Sequence, residues 1–176
     1  MRKVYLNHDG GVDDLVSLYL LLKMEDVELV GVGVIEADCY LLPAVEASKK
    51  IIQKFGSDKD KQLRVASSDS RPVHPFPKEW RMHAFTVDAL PILNEHKPLQ
   101  VEDSPLKAHE DLVHVLMNSE DKIDLVFVGP LTDLARALDL EPHIEEKIGK
   151  LYWMGGTFLD HGNIEEPEPD GTAEWS

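Results

Sequence analysis

The chain of 176 residues contains one cysteine, Cys39, so no intramolecular disulfide can staple it, and this usage fits a reducing compartment. Bases are also scarce: 18 Lys and Arg stand against 33 Asp and Glu, a formal net charge of −15. Such a field repels phosphate backbones and anionic lipid, which argues against nucleic acid and against an anionic membrane surface as partners. Long apolar runs are missing, and none reaches the length that spans a bilayer. Met1-Arg2-Lys3 leads into only a short apolar stretch before polar residues, so there is no signal-peptide core. The expectation is a soluble cytoplasmic protein. Internal repeats are absent too. With 43% hydrophobic residues the chain has material for one core, and residues 1–176 are expected to form a single domain.

What is present gathers at one turn. The apolar run Val4-Tyr5-Leu6 empties into Asn7-His8-Asp9-Gly10-Gly11-Val12-Asp13-Asp14, after which Leu15, Leu18, Tyr19 and Leu22 recur at helical spacing. A strand thus ends in a glycine turn that opens a helix, at the rim where open α/β sheets bind ligands. Asp13 and Asp14 fall in the first helical turn, where negative charge suits the helix dipole, so capping alone could explain them. Asp9 adds a third like charge, whose repulsion calls for a cation or a proton. Oxygen ligands without cysteine suit Ca²⁺ or Mg²⁺ rather than zinc.

The helix runs from Asp13 to Met24. Val27 to Ile35 is almost continuously apolar, as in a strand covered on both faces, and completes a βαβ unit with parallel pairing. Glu36 and Asp38 then share the rim with Asp9. A second helix over Pro43 to Phe55 and a third strand over Leu63 to Ala66 precede a proline-bearing rim loop, Ser67 to Arg81, which holds His74 and Trp80 and has His83 beside it. A helix begins near Ser104-Pro105 with Asp103 or Ser104 as cap. Strand Ile123 to Val128, turn Gly129-Pro130-Leu131-Thr132-Asp133 and helix Leu134 to Leu140 repeat the opening grammar. Lys150 to Met154 is the last strand, and Gly155-Gly156 opens an acidic loop with Glu165, Glu166, Glu168, Asp170 and Glu174. This order predicts an α/β fold: an open, mostly parallel Rossmann-like sheet with helices on both faces. Val30, Val34, Val126, Val128, Leu151 and Trp153 are expected in its core.

DxxxDD after the first strand, GPLTD after a later one, then MGG and a terminal AEW resemble the nucleoside hydrolases of the inosine-uridine preferring type. The family patterns are DxDxxxDD, GPLTN and AEFN. This chain carries Asn7 at the first Asp, Asp133 at the Asn of GPLTN, and Ser176 at the Asn of AEFN. The resemblance covers the whole chain but only the amino-terminal part of a family member. It therefore implies that the family's last calcium ligand and its leaving-group His, both nearer the carboxyl terminus, have no counterpart here, so poor turnover or none is expected.

By resemblance, Ca²⁺ is held by Asp9, Asp14 and the backbone carbonyl of Val128, and Asp9 also activates the attacking water. Asp13 matches a carboxylate that grips ribose hydroxyls, Asp38 falls near a substrate-contacting Asn, and Asn163 and Glu174 are similar to the ribose-binding Asn and Glu. His83 joins them as a candidate substrate contact. The implied reaction is hydrolysis of a ribonucleoside, a small-molecule substrate, to ribose and free base by a homo-oligomer. Such chemistry passes through an oxocarbenium-like sugar, which nearby carboxylates stabilise while a water is deprotonated. Other readings stay open: a nonenzymatic nucleoside- or sugar-binding module or an inactive fragment of such an enzyme, and a phosphohydrolase on an acidic Mg²⁺ site, against which Asn7 and the want of a well-placed Lys count.

Overall fold

A computed structural model describes residues 1–72, 82–95 and 98–156. Strand β1 (Arg2–His8) is followed by helix α1 (Val12–Lys23) and strand β2 (Val27–Val34). Helix α2 (Leu41–Phe55) leads to the short β3 (Val65–Ser67). After several 3-10 turns come α3 (Ala108–Met117), β4 (Ile123–Phe127), α4 (Thr132–Leu140) and β5 (Ile148–Trp153). The five strands form one sheet in the order β3-β2-β1-β4-β5, and every pairing is parallel. The strand that comes first among these five in the chain is therefore the central one. No helix among the described residues is long and apolar enough to cross a membrane.

Alternation along β1 sends its side chains to two separate cores. Leu6 faces one side with Val32 and Val34 of β2, and packs with Leu15, Leu18, Ala44 and Ile52 of α1 and α2. Tyr5 faces the other, with Leu125 and Phe127 of β4 and Leu112, Leu116 and Leu134 of α3 and α4. Helices thus cover both faces of the sheet. On the second face β2 carries glycine at alternate positions. A Cβ on Gly31 would lie 2.4 Å from the Tyr5 ring, and one on Gly33 would lie 2.7 Å from the Asn7 amide nitrogen, so the two glycines form a trough for those side chains. The Tyr5 hydroxyl crosses that face to donate to Asp111 Oδ2 at 3.0 Å.

Two expectations need correction. Val34 is fully buried, and Val30, Val126 and Val128 pack partly buried against the two cores, but Leu151 and Trp153 are each 44% exposed. They sit on β5, which among the described residues is the outermost strand and pairs only with β4. Apolar alternation reads the same on an edge strand as on a central one, so the pattern misjudged their burial. The helix expected near Ser104 begins instead at Ala108, with Lys107 as its N-cap residue and the Glu110 carboxylate accepting from the Lys107 N–H at 3.0 Å. Ser104 is engaged elsewhere: its hydroxyl accepts from the Leu106 N–H and donates to Asp111.

Candidate active site

The parallel strands deliver their carboxyl ends to one rim, and β1 and β4 meet there as neighbours. Gly10 takes a φ of +89°, a conformation that costs an L side chain, and a Cβ on it would lie 2.4 Å from Ala44 Cβ. The chain therefore turns sharply off β1, close against α2, and enters α1 with Asp13 and Asp14 in its first turn. Buried Asp14 folds back under this turn: its Oδ2 accepts from the Asp9 N–H at 3.2 Å and the Gly11 N–H at 3.0 Å. The loop after β2 closes from the other side, the Asp38 N–H donating to Asp9 Oδ2 at 3.1 Å and the Cys39 N–H to the Asp9 carbonyl at 3.0 Å.

Gly11 marks the centre of the cluster. A Cβ there would stand 2.7 Å from Asp13 Oδ1, 2.7 Å from Asp38 Oδ2 and 3.5 Å from Asp14 Oδ2, so three carboxylates overhang a space that only glycine leaves open. Across the sheet, a Cβ on Gly129 would lie 3.0 Å from Asp9 Cγ, which brings the turn after β4 directly against Asp9. The Val128 N–H donates to the Asn7 carbonyl at 3.0 Å and pins that turn to the end of β1. Burial first, and then the hydrogen bond and charge of Asp9, push Asp14 up to about 8. Without a cation, this pair holds a proton at neutral pH.

Among the described residues no three His, Cys, Asp or Glu side chains form a cage that could hold a metal ion by themselves. The donors expected for a cation are two carboxylates and a main-chain carbonyl. All are hard oxygens, and the proton on the Asp14–Asp9 pair is what a divalent cation would displace; the donor set therefore fits Ca²⁺.

Of the residues singled out in the sequence, Asp9, Asp13, Asp14 and Asp38 come together around Gly10 and Gly11, and Val128 lies on the adjoining turn. His83 is exposed on the short 3-10 turn Met82–Phe85, beside the Asp38 loop, since the Tyr40 N–H donates to the Ala84 carbonyl and the Tyr40 and Phe85 rings lie 4.3 Å apart. Asn163 and Glu174, like His74 and Trp80, lie outside the described residues.

Two supports were not anticipated. His8, fully buried, accepts from the Gly10 N–H on Nδ1 at 3.2 Å, so Nε2 carries the hydrogen shared with Ser48 Oγ at 3.0 Å. The Ser48 hydroxyl in turn donates to the Ala44 carbonyl. Burial lowers the His8 pKa and favours this neutral form. On the opposite face, Asn7 Nδ2 donates to Asp133 Oδ2 at 3.1 Å, and the Ser68 hydroxyl donates to Asp133 Oδ1 at 2.6 Å. One sequence signal for this second support was the pair of opposite departures at positions 7 and 133.

A parallel sheet with a glycine turn on its central strand and a crowd of carboxylates over that turn defines a Rossmann-like α/β protein with an acidic rim site. The chain belongs to the inosine-uridine preferring nucleoside hydrolase family, whose model matches residues 4–175. It is similar to the crystal structure of the inosine-uridine preferring nucleoside hydrolase from Bacillus anthracis, at a TM-score of 0.90 and 60% identity over 99% of this chain and 57% of that one. Probable uridine nucleosidase 2 of Arabidopsis thaliana is 24% identical over 165 residues, 93% of this chain and 50% of that protein. The pyrimidine-specific ribonucleoside hydrolase RihB of Escherichia coli O9:H4 (strain HS) is 26% identical over 160 residues, 89% and 48% respectively. The chain spans about half the length of the curated relatives it matches.

Proposed function

We propose that the chain carries the metal- and sugar-binding rim of a cytoplasmic, Ca²⁺-dependent ribonucleoside hydrolase, which splits the N-glycosidic bond to give ribose and a free base. The observation that carries this reading is the convergence of Asp9, Asp13, Asp14 and Asp38 around Gly11, with the Gly129 turn against Asp9. Asp9, Asp14 and the Val128 carbonyl would hold the cation. When bound, Ca²⁺ would fix a water and make it more acidic. Asp9 is placed to take that water's proton, since its carboxylate lies on the rim, held by the Asp38 N–H. Exposed Asp13 reaches sugar hydroxyls from the first turn of α1, and Asp38 does so from the loop after β2. Asn163 and Glu174 would complete the sugar contacts, and His83, on the turn beside the Asp38 loop, would add a further substrate contact. Carboxylates close to the ring favour the positive charge that develops as the base departs. A deoxy sugar would leave some of these acceptors unpaired, which favours ribose. The reading includes a homo-oligomer, for which exposed Val12, Val16 and Leu20 on α1, with Met24 just after it, offer an apolar contact face.

The test is calorimetric titration with Ca²⁺, followed by a reducing-sugar assay on inosine and uridine with calcium-loaded and EDTA-treated protein. Binding of one Ca²⁺ and slow, chelator-sensitive ribose release, both lost in Asp9→Asn, are expected. Release that chelator leaves unchanged overturns the reading.

A further inference from the structure

The buried contact between Asn7 and Asp133 joins three parts of the fold at the base of the rim. Asn7 ends β1 two residues before Asp9, its carbonyl accepts from the Val128 N–H, and its side chain donates to Asp133 in the first turn of α4. Ser68, just after β3, donates to the other Asp133 oxygen. Asn7, Asp133 and Ser68 are all almost inaccessible to solvent. Asn7 Oδ1 is buried with no donor among the described residues, so among them the bond to Asp133 is what decides which way the amide faces. Turned over, the amide would set oxygen against oxygen in a dry site, at the cost of an unmade hydrogen bond. Burial raises the Asp133 pKa, and the hydrogen bonds from Ser68 and Asn7 are the largest of the effects that oppose it.

The contact needs one carboxylate and one amide, but its geometry does not fix which position holds which. With Asp at 7 and Asn at 133, the amide at 133 would donate to the carboxylate at 7, and its oxygen would still accept from Ser68. The sequence departs from the family patterns at these two positions in opposite senses, which conserves one carboxylate and one amide. We infer that Asp133 is a positioning residue: it and Asn7 form a clamp, exchangeable as a pair but not singly, that sets β1, and with it the Asp9 turn, in register with Val128. As far as it concerns Ca²⁺, this inference rests on the function proposed above.

Four proteins test it: the wild type, Asn7→Asp, Asp133→Asn, and the double exchange. Melting temperature and amide exchange at Asp9 and Gly11 are read without metal, and Ca²⁺ affinity by calorimetry. Asn7→Asp sets two carboxylates against each other in a buried site and is expected to melt about 5–10 °C lower. Asp133→Asn loses about half as much. Each single change should speed exchange at Asp9 and Gly11 and weaken Ca²⁺ binding at least fivefold, while the double exchange returns to within about 2 °C and threefold of the wild type. If Asn7→Asp does not fold, a double variant that folds and melts above Asp133→Asn is the same rescue. If the wild type binds no Ca²⁺, the calcium reading has failed, and melting and exchange decide the clamp on their own. A double variant whose losses equal the sum of the single losses overturns it.

Discussion

Removing the charge of Asp14 should stabilise the metal-free protein. In the fold this carboxyl titrates at about 8 against an ordinary 3.8, because it is 3% exposed and faces Asp9. Below about pH 4 the folded and unfolded chains both hold the proton, and the group adds no pH dependence. From there to pH 8 the unfolded chain releases it while the folded chain keeps it, so stability falls as pH rises; above 8 both are ionised and the slope vanishes. At 1.36 kcal/mol per unit, the cost by pH 8 is on the order of 5 kcal/mol as an upper bound, and about 2–3 kcal/mol once Asp9 and solvent relax. Asn at position 14 keeps an oxygen for the Asp9 and Gly11 N–H groups and carries no charge. In EDTA, Asp14→Asn should therefore melt within about 1 °C of the wild type at pH 5 and about 5–10 °C above it at pH 8. Millimolar Ca²⁺ should reverse that order at pH 8, because the cation replaces the proton in the wild type and has lost a ligand in the variant. Scanning calorimetry at matched ionic strength reads all four conditions. Melting curves that stay parallel from pH 5 to 8 would refute the account of a buried carboxyl strained by Asp9.

Gly129→Ala places a Cβ 3.0 Å from Asp9 Cγ and 3.3 Å from its backbone nitrogen, so it should cost about 1–3 kcal/mol and at least tenfold in Ca²⁺ affinity, as read by urea unfolding and calorimetry. Unchanged affinity would mean that the turn after β4 is not part of the site. Gly31→Ala drives a methyl group into the Tyr5 ring and should lower stability by about 1–3 kcal/mol with little change in affinity, since the clash lies on the α3 face away from the rim. Tyr5→Phe removes the bond to Asp111 and leaves that buried carboxylate with Ser104 as its remaining hydroxyl donor. A loss of about 1–2 kcal/mol in chemical denaturation is expected.

The opening unit was legible because its periodicity changes within a few residues. Val4 to Leu6 is a short apolar run, Gly10 and Gly11 break it, and Leu15 and Leu18 resume at helical spacing; the structure keeps these limits to within about two residues apart from the longer β1. The same holds for β4, its turn and α4. Asp9, Asp13, Asp14 and Asp38 could be placed on one rim since parallel strands share a carboxyl end, a rule of topology rather than of pairwise contact. Burial on β5 was not legible, because the apolar character of Leu151 and Trp153 does not say whether a strand has one neighbour or two. Nor was the link from Asn7 to Asp133, which are 126 positions apart in the chain. Such a contact leaves no local period. The glycines at 31 and 33 are its visible trace, for they leave room for Tyr5 and Asn7, but a glycine in a strand does not name its occupant.

The strand order has a consequence for how the chain is born. Of the five strands the central one leaves the ribosome before the others, and β2 can pair with it as soon as α1 has formed, about 25 residues later. Its other edge must wait for β4, which begins some 120 residues after β1 does. Through most of synthesis, then, one flank of β1 presents unsatisfied N–H and C=O groups, along with the exposed apolar face of Tyr5. That flank is where a nascent chain can pair wrongly with a neighbour on the same message, and where a chaperone has most to shield. Slowing translation between α2 and β4 should therefore lower soluble yield far more than slowing it after Trp153.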